Sequence, residues 1–233
     1  MQLGRFGGRL ICVVGDVCLS RRKNGGRHTV VPLHASIQEH CRAIGFDNLA
    51  PIIWNKIANA VYEVDRGASG FLGKPYEPNA VVKNDIEFIL MQRKPGGYRR
   101  PSLAARVLSV ISRDSFQRSF RQVWSDIPGA SGSKHPAPYP FALAERLIRM
   151  FSFAGDTVLD PFVGTGTTQL AASSCGRNSI GVEVDPDYWE MAMDRLNCMT
   201  SDLLTRADVT GARGPRSGTW HGSTDVNTGL AFR

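Results

Sequence analysis

An α/β fold in which short strands alternate with amphipathic helices is the architecture this chain predicts, on three observations. Short β-branched apolar runs alternate with amphipathic helical stretches through the C-terminal half. A two-glycine turn, Asp160 to Thr168 (DPFVGTGTT), joins one such run directly to a helix. An acidic residue, Glu183, closes the next run, about 20 residues beyond the glycines, where doubly wound sheets hold a ribose-binding carboxylate.

Each element follows from local pattern. Arg9 to Val17 (RLICVVGDV), entered through Gly7 and Gly8, reads as a strand buried on both faces. Leu33, Ile37, Cys41 and Ile44 recur at helical spacing, and Gly45 follows where a left-handed cap belongs. Ala50 to Trp54 (APIIW) and Ile86 to Gln92 (IEFILMQ) are two further strands. The stretch between them, Asn59 to Asn79, carries glycine, proline and asparagine and reads as a loop. Arg93 to Arg121 is the most basic segment: Arg93, Lys94, Arg99, Arg100, Arg106, Arg113, Arg118 and Arg121 face the single acid Asp114. Phe141 to Phe151 predicts an amphipathic helix, followed by a strand at Thr157 to Leu159, the glycine turn and a helix from Thr167 to Ser174. Asn178 to Val184 predicts the next strand and Pro186 to Leu196 the next helix, with the proline tolerated in its first turn. Beyond about Asp202 the composition shifts to Thr, Gly, Asp, Arg and Ser without periodicity, which predicts a disordered tail.

Composition bounds the function. A chain of 233 residues, 42% of them hydrophobic, can bury one substantial core. Its net charge of +7 and pI of about 9.4 favour a polyanionic partner such as nucleic acid. The five cysteines, at 12, 18, 41, 175 and 198, form no Cys-x-x-Cys pair, so neither a disulfide framework nor a zinc knuckle is predicted. Met1 to Arg9 is glycine-rich and lacks an apolar core of signal-peptide length, and no run approaches the roughly 20 apolar residues that cross a bilayer. A soluble, cytoplasmic protein with no membrane partner and no metal is the expectation.

The glycine turn lets backbone approach a ligand closely, and the helix start beyond it offers free N–H groups to a carboxylate or phosphate. Gln169 stands where a dinucleotide fingerprint has its third glycine, and no lysine follows Gly166 as a phosphate-binding loop requires. Nicotinamide and ATP are therefore disfavoured.

His135-Pro136-Ala137-Pro138-Tyr139-Pro140, then a helix, then Gly155-Asp156-Thr157-Val158-Leu159-Asp160-Pro161-Phe162 and Gly164-Thr165-Gly166-Thr167-Thr168, resembles consecutive motifs X and I of the β-class, permuted DNA amino-methyltransferases. Gly8 to Val17 and Ile52 to Lys56 resemble later blocks of the same family, so the likeness spans roughly Gly7 to Leu196. It implies a Rossmann-like fold in permuted order and S-adenosylmethionine as cofactor. The acid and aromatic matched by Asp160 and Phe162 line its methionine end and purine, Gly164 and Gly166 admit it, and Thr167 and Thr168 lie near its carboxylate. Glu183 matches the ribose-binding acid, and His135 and Pro136 the entry to motif X. Asp185 is either a partner of that acid or a cap for the helix at Pro186. Trp54 and Lys56 are either base or DNA contacts or, more simply, core and solvated residues.

The implied organisation is a catalytic-side half over 1–92, truncated at its start, a basic segment over 93–130 serving as a target-recognition insert, a cofactor-binding half over 131–200 and a tail over 201–233. Arg99, Arg100, Arg113, Arg118 and Arg121 are the implied contacts to double-stranded DNA. The family's Asp/Asn/Ser-Pro-Pro-aromatic tetrapeptide, which holds the exocyclic amine of an extruded base, occurs nowhere in this sequence. No catalytic residue is therefore assigned. The strand carrying it belongs between the Arg9 and Thr157 strands, so the sheet is expected to be incomplete there. The expectation is a site-specific methyltransferase acting on adenine or cytosine, truncated or completed by a missing N-terminal segment or partner subunit, with a restriction endonuclease as companion. A non-catalytic DNA- or cofactor-binding remnant is the alternative, and a small-molecule or RNA methyltransferase on the same fold fits the strand order less well.

Overall fold

A computed structural model of the chain describes residues 7–56, 84–130, 140–199, 208–212 and the backbone of 230–232. The predicted loop from Asn59 to Asn79 lies outside these residues. Contacts divide the chain into two units, Met1–Arg100 with Arg113–Ser131, and Pro101–Ser112 with Gly132–Arg233.

The first unit opens with β1 (Arg9–Val14), β2 (Val17–Leu19), β3 (Thr29–Val31), α1 (Leu33–Ala43), β4 (Asp47–Asn48), β5 (Ile52–Asn55) and β6 (Ile86–Arg93). The strand predicted over Arg9 to Val17 thus breaks at Gly15-Asp16, and its last residue starts a separate hairpin. The chain next forms a short helix α2 (Leu103–Val107) that belongs to the second unit. It returns for α3 (Arg113–Ser119) and β7 (Val123–Trp124).

The sheet of the first unit runs β1-β6-β5-β7, with β4 also on β6. β6 sits inside it because Ile89 and Leu90, on opposite faces, are both fully buried, the signature of a strand covered on two sides. It runs antiparallel to β1, from Arg9 opposite Arg93 to Val14 opposite Phe88, and antiparallel to β5. β5 and β7 are parallel and bring Trp54 beside Trp124. Each indole donates to a backbone carbonyl, Trp54 to Ile127 at 2.8 Å and Trp124 to Ser119 at 3.0 Å. Trp54 is 1% exposed, so it is a core residue and not a base contact. Helix α1 ends as its sequence predicts: Gly45 has φ +92°, with Phe46 N–H on the Cys41 carbonyl and Gly45 N–H on that of Arg42, a Schellman cap.

The second unit contains α4 (Phe141–Phe151), β8 (Thr157–Asp160), α5 (Thr167–Ser174), β9 (Asn178–Gly181), α6 (Pro186–Met199), β10 (Val209–Gly211) and β11 (Leu230–Phe232). β8 and β9 are parallel, Thr157 opposite Asn178 and Asp160 opposite Gly181, and α5 is the crossover between them. One side of α5 packs Ala171, Ala172 and Cys175 against Ala144 and Ile148 of α4. Its other side packs Leu170 against Ala192 and Leu196 of α6. Burying a leucine this way contributes about 2 kcal/mol, which is what holds so short a helix in place. The order β8-α5-β9-α6 is the βαβα arrangement the sequence predicts. Within the segment beyond Asp202 expected to be a disordered tail, β10 and β11 instead extend the sheet antiparallel from β9.

Among the described residues β1 and β8 are the end strands of their sheets, β1 carrying only β6 and β8 only β9. No described helix is long and apolar enough to cross a membrane.

Candidate functional site

The site grows from the carboxyl ends of two parallel strands. β8 ends at Asp160, whose Oδ1 accepts from Phe162 N–H at 2.9 Å and turns the chain outward. The ladder runs on past the strands, Val182 N–H reaching the Asp160 carbonyl at 2.9 Å and Val163 N–H the Val182 carbonyl at 3.1 Å. These bonds keep the bend and the segment after β9 side by side. Gly164 and Gly166 have φ of +53° and +78°, a left-handed backbone that L side chains resist. Gly166 then caps α5 with no side-chain bond, leaving the N–H groups of its first turn for other partners.

Glu183 closes the bend. Its Oε2 accepts from Gly164 N–H at 2.7 Å, and its Oε1 from Val184 and Asp185 N–H at 2.9 Å each. A carboxylate offers about four lone-pair sites, so three backbone donors orient it while leaving acceptor capacity. Phe162 and Val184 flank this junction at 86% and 89% exposure, two apolar side chains left in water on the segments that Glu183 joins. Burying either against a ligand would recover free energy. Asp185 caps α6, its Oδ1 accepting from Asp187 N–H at 2.9 Å and Tyr188 N–H at 3.3 Å. The capping alternative therefore accounts for it.

Of the residues singled out in the sequence, Asp160, Phe162, Gly164, Gly166, Thr167, Thr168 and Glu183 come together in this one bend. Thr167 is buried and Thr168 half-buried in the first turn of α5. His135 and Pro136 lie outside the described residues. Arg99, Arg100, Arg113, Arg118 and Arg121 are all exposed and all belong to the first unit. Lys56 is half-exposed and pairs with Glu87 at 2.5 Å.

Three supports were not apparent from the sequence. Arg195 of α6 places one guanidinium nitrogen 3.1 Å from the Thr165 carbonyl, 3.3 Å from its hydroxyl and 3.0 Å from the Thr167 hydroxyl, clamping the bend from below. Gly181 is required by contact: a Cβ there would stand 2.4 Å from Val163 Cγ2 and 2.7 Å from Gln169 Nε2. Gln169, in the place of the third fingerprint glycine, is 1% exposed and fills the space a closer helix would take. Gly181 had a local signal, a glycine ending a strand. Arg195 had none.

Burial pushes the thiols of Cys12, Cys41 and Cys175 up, which makes them poor nucleophiles. Among the described residues no cluster of three or more His, Cys, Asp or Glu side chains could hold a metal.

Against known proteins, the DNA methylase family profile matches residues 7–194. The Type II methyltransferase M.MthZI of Methanothermobacter thermautotrophicus is 37% identical over 201 residues, covering 82% of this chain and 54% of that protein. M.MjaI of Methanocaldococcus jannaschii is 38% identical over 187 residues, covering 76% of this chain and 58% of that protein. The chain thus spans little more than half the length of these relatives. The crystal structure of TTHA0409 from Thermus thermophilus, complexed with S-adenosyl-L-methionine, superposes with a TM-score of 0.72 at 52% identity, over 84% of this chain and 71% of that one. With the family profile covering most of its length and this fold shared, the chain belongs to the DNA methylase family that the sequence motifs pointed to.

Proposed function

We propose that this chain binds S-adenosylmethionine in the bend between β8 and α5 and serves methyl transfer to an exocyclic amino group of adenine or cytosine in double-stranded DNA. The observation that carries the reading is the Glu183 junction: an oriented carboxylate beside a glycine backbone, flanked by exposed Phe162 and Val184.

The residues fit such a ligand. Glu183 has acceptor capacity for ribose hydroxyls, Phe162 and Val184 offer apolar walls to a purine, and Gly164 and Gly166 supply the left-handed backbone of the bend. The first turn of α5, with Thr167 and Thr168, presents N–H and hydroxyl donors to a carboxylate. By the motif resemblance Asp160 serves the methionine end of the ligand, and the same resemblance assigns His135 and Pro136 to that end. When bound, the cofactor supplies an electrophilic methyl on a sulfonium. The chain's own contribution is orientation, which can supply much of the rate of a two-substrate transfer. Arg99, Arg100, Arg113, Arg118 and Arg121 neutralise phosphates of the duplex. A cytoplasmic setting and a companion restriction endonuclease follow from the same reading.

The absence of an Asp/Asn/Ser-Pro-Pro-aromatic tetrapeptide favours a second reading for the polypeptide acting alone, binding without turnover. Turnover then needs that motif from another segment or subunit. Calorimetry with S-adenosylmethionine and tritiated-methyl incorporation into plasmid DNA separate the two. We expect binding without incorporation from this chain alone, and incorporation would refute the second reading. Glu183→Ala should weaken binding roughly 10- to 100-fold, the worth of one or two hydrogen bonds to a charged group. An unchanged affinity would remove Glu183 from the ribose site.

A further inference from the structure

We propose that the β2–β3 hairpin is a DNA-contacting arm whose tip grips the phosphate backbone of duplex DNA, an assignment that rests on the DNA-methylation reading above. From Val17 to Val31 the chain carries Arg21, Arg22, Lys23, Arg27 and His28 and no acidic residue. All five basic side chains are exposed. Among the described residues none of them reaches a carboxylate, whereas Arg42, Arg93 and Arg149 on other elements are each paired with one. Crowding unpaired like charges on one turn costs free energy that a polyanion would return.

The arm is built to hold those charges in place. Among the described residues β2 and β3 pair only with each other, so they form a ribbon separate from the main sheet of their unit. A lone two-stranded ribbon is marginal in water, yet this one is tied at both ends. At the tip, Arg21–Lys23 make one 3-10 turn, Gly26 N–H returns to the Arg21 carbonyl at 2.9 Å, and the Asn24 amide donates to the Arg27 carbonyl at 3.2 Å and the Thr29 hydroxyl at 2.8 Å. Gly25 and Gly26, at φ of +55° and +81°, have nothing within 4 Å of where a Cβ would be, so the backbone itself can meet a phosphate. At the root, Asp16 immediately precedes β2 and His34 follows β3 by three residues. Both carboxylate oxygens of Asp16 lie 2.8 Å from His34 Nδ1, and His34 stacks on Phe88 of β6 at 3.9 Å between ring centroids. Order present before binding lowers the entropic cost of association. A basic two-stranded ribbon also matches the width of a major groove, which orients its tip along the flanking phosphates.

The test removes charge from the full chain with Arg21→Gln, Arg22→Gln, Lys23→Gln and Arg27→Gln together. Fluorescence anisotropy follows binding to a labelled 30-base-pair duplex between about 50 and 200 mM salt, and calorimetry follows S-adenosylmethionine. We expect roughly tenfold or greater loss of duplex affinity, a salt slope shallower by about 3, and unchanged cofactor affinity. A companion variant that keeps the charge, Arg21→Lys, Arg22→Lys and Arg27→Lys together, should keep the wild-type slope. If it loses binding as far as the first variant does, fold and not charge is responsible and the proposal fails. A wild-type chain that binds duplex while the first variant binds equally well makes the run a solvated surface and overturns the arm alone. A wild-type chain that takes up the cofactor but no duplex overturns the DNA reading, and the arm with it.

Discussion

The glycine bend and the sheet of the first unit are held together over different distances along the chain. Among the described residues the bonds that shape the bend lie between Asp160 and Arg195, and most join residues fewer than about 20 apart. The sheet depends on pairings such as Leu10 with Gln92 and on the Trp54 bond to Ile127, 73 residues away. Local bonds leave a contiguous signature in sequence and long-range ones leave only composition, so the bend proposed to hold the cofactor is the more legible part.

The comparison breaks most sharply at Trp54. Trp54→Ala empties a fully buried site and strands the Ile127 carbonyl, which should cost about 3–5 kcal/mol in urea unfolding. Because its bonds stay within the first unit, S-adenosylmethionine affinity measured well below the melting temperature should not change. A loss of affinity without loss of stability would restore Trp54 as a ligand contact.

In the second unit the corresponding change is Gly181→Ala. The new methyl would meet Val163 at 2.4 Å and Gln169 at 2.7 Å, so β9 or the bend must shift, at about 1–3 kcal/mol. Since Glu183 lies two residues on, cofactor affinity should fall together with stability, in contrast to Trp54→Ala. Arg195→Gln is milder. It gives up a clamp worth about 1 kcal/mol and should weaken cofactor binding roughly fivefold while leaving the far-ultraviolet circular dichroism intact. Equal losses from Arg195→Gln and Arg195→Ala, with no effect on affinity, would reduce Arg195 to a helix-packing residue.

What sequence could and could not supply follows the same division. The helices at Phe141–Phe151 and Thr167–Ser174 were readable to the residue because amphipathic period and glycine boundaries act locally. Asp160, Gly164 and Glu183 were readable because strand, bend and acid occur in one short order. The two-residue strands β4 and β7 were not, since they exist only through their partners β6 and β5. The β2–β3 hairpin was hidden for another reason: Gly15-Asp16 ends β1 within what reads as one apolar run, and the closing bond to His34 is 18 residues away. Arg195 is one of several charged residues on α6, and only the fold singles it out.

The smallest effect, and the finest probe of the first unit, is the acid limb of its stability. Burial disfavours ionisation of Asp16, but hydrogen bonds from the His34 ring and backbone outweigh it and hold the carboxyl below the usual range. A group whose pKa is depressed by folding contributes stability that is fully present above its unfolded value, near 4, and is lost as pH falls through the folded value. Wild-type stability should therefore decline as the solution is taken below about pH 4, and Asp16→Asn should flatten that decline at the cost of lower stability at neutral pH. Chemical unfolding at a series of pH values reads both. Parallel acid limbs for the two proteins would mean that Asp16 and His34 do not clamp the hairpin root, and the arm would then have to be held by its tip alone.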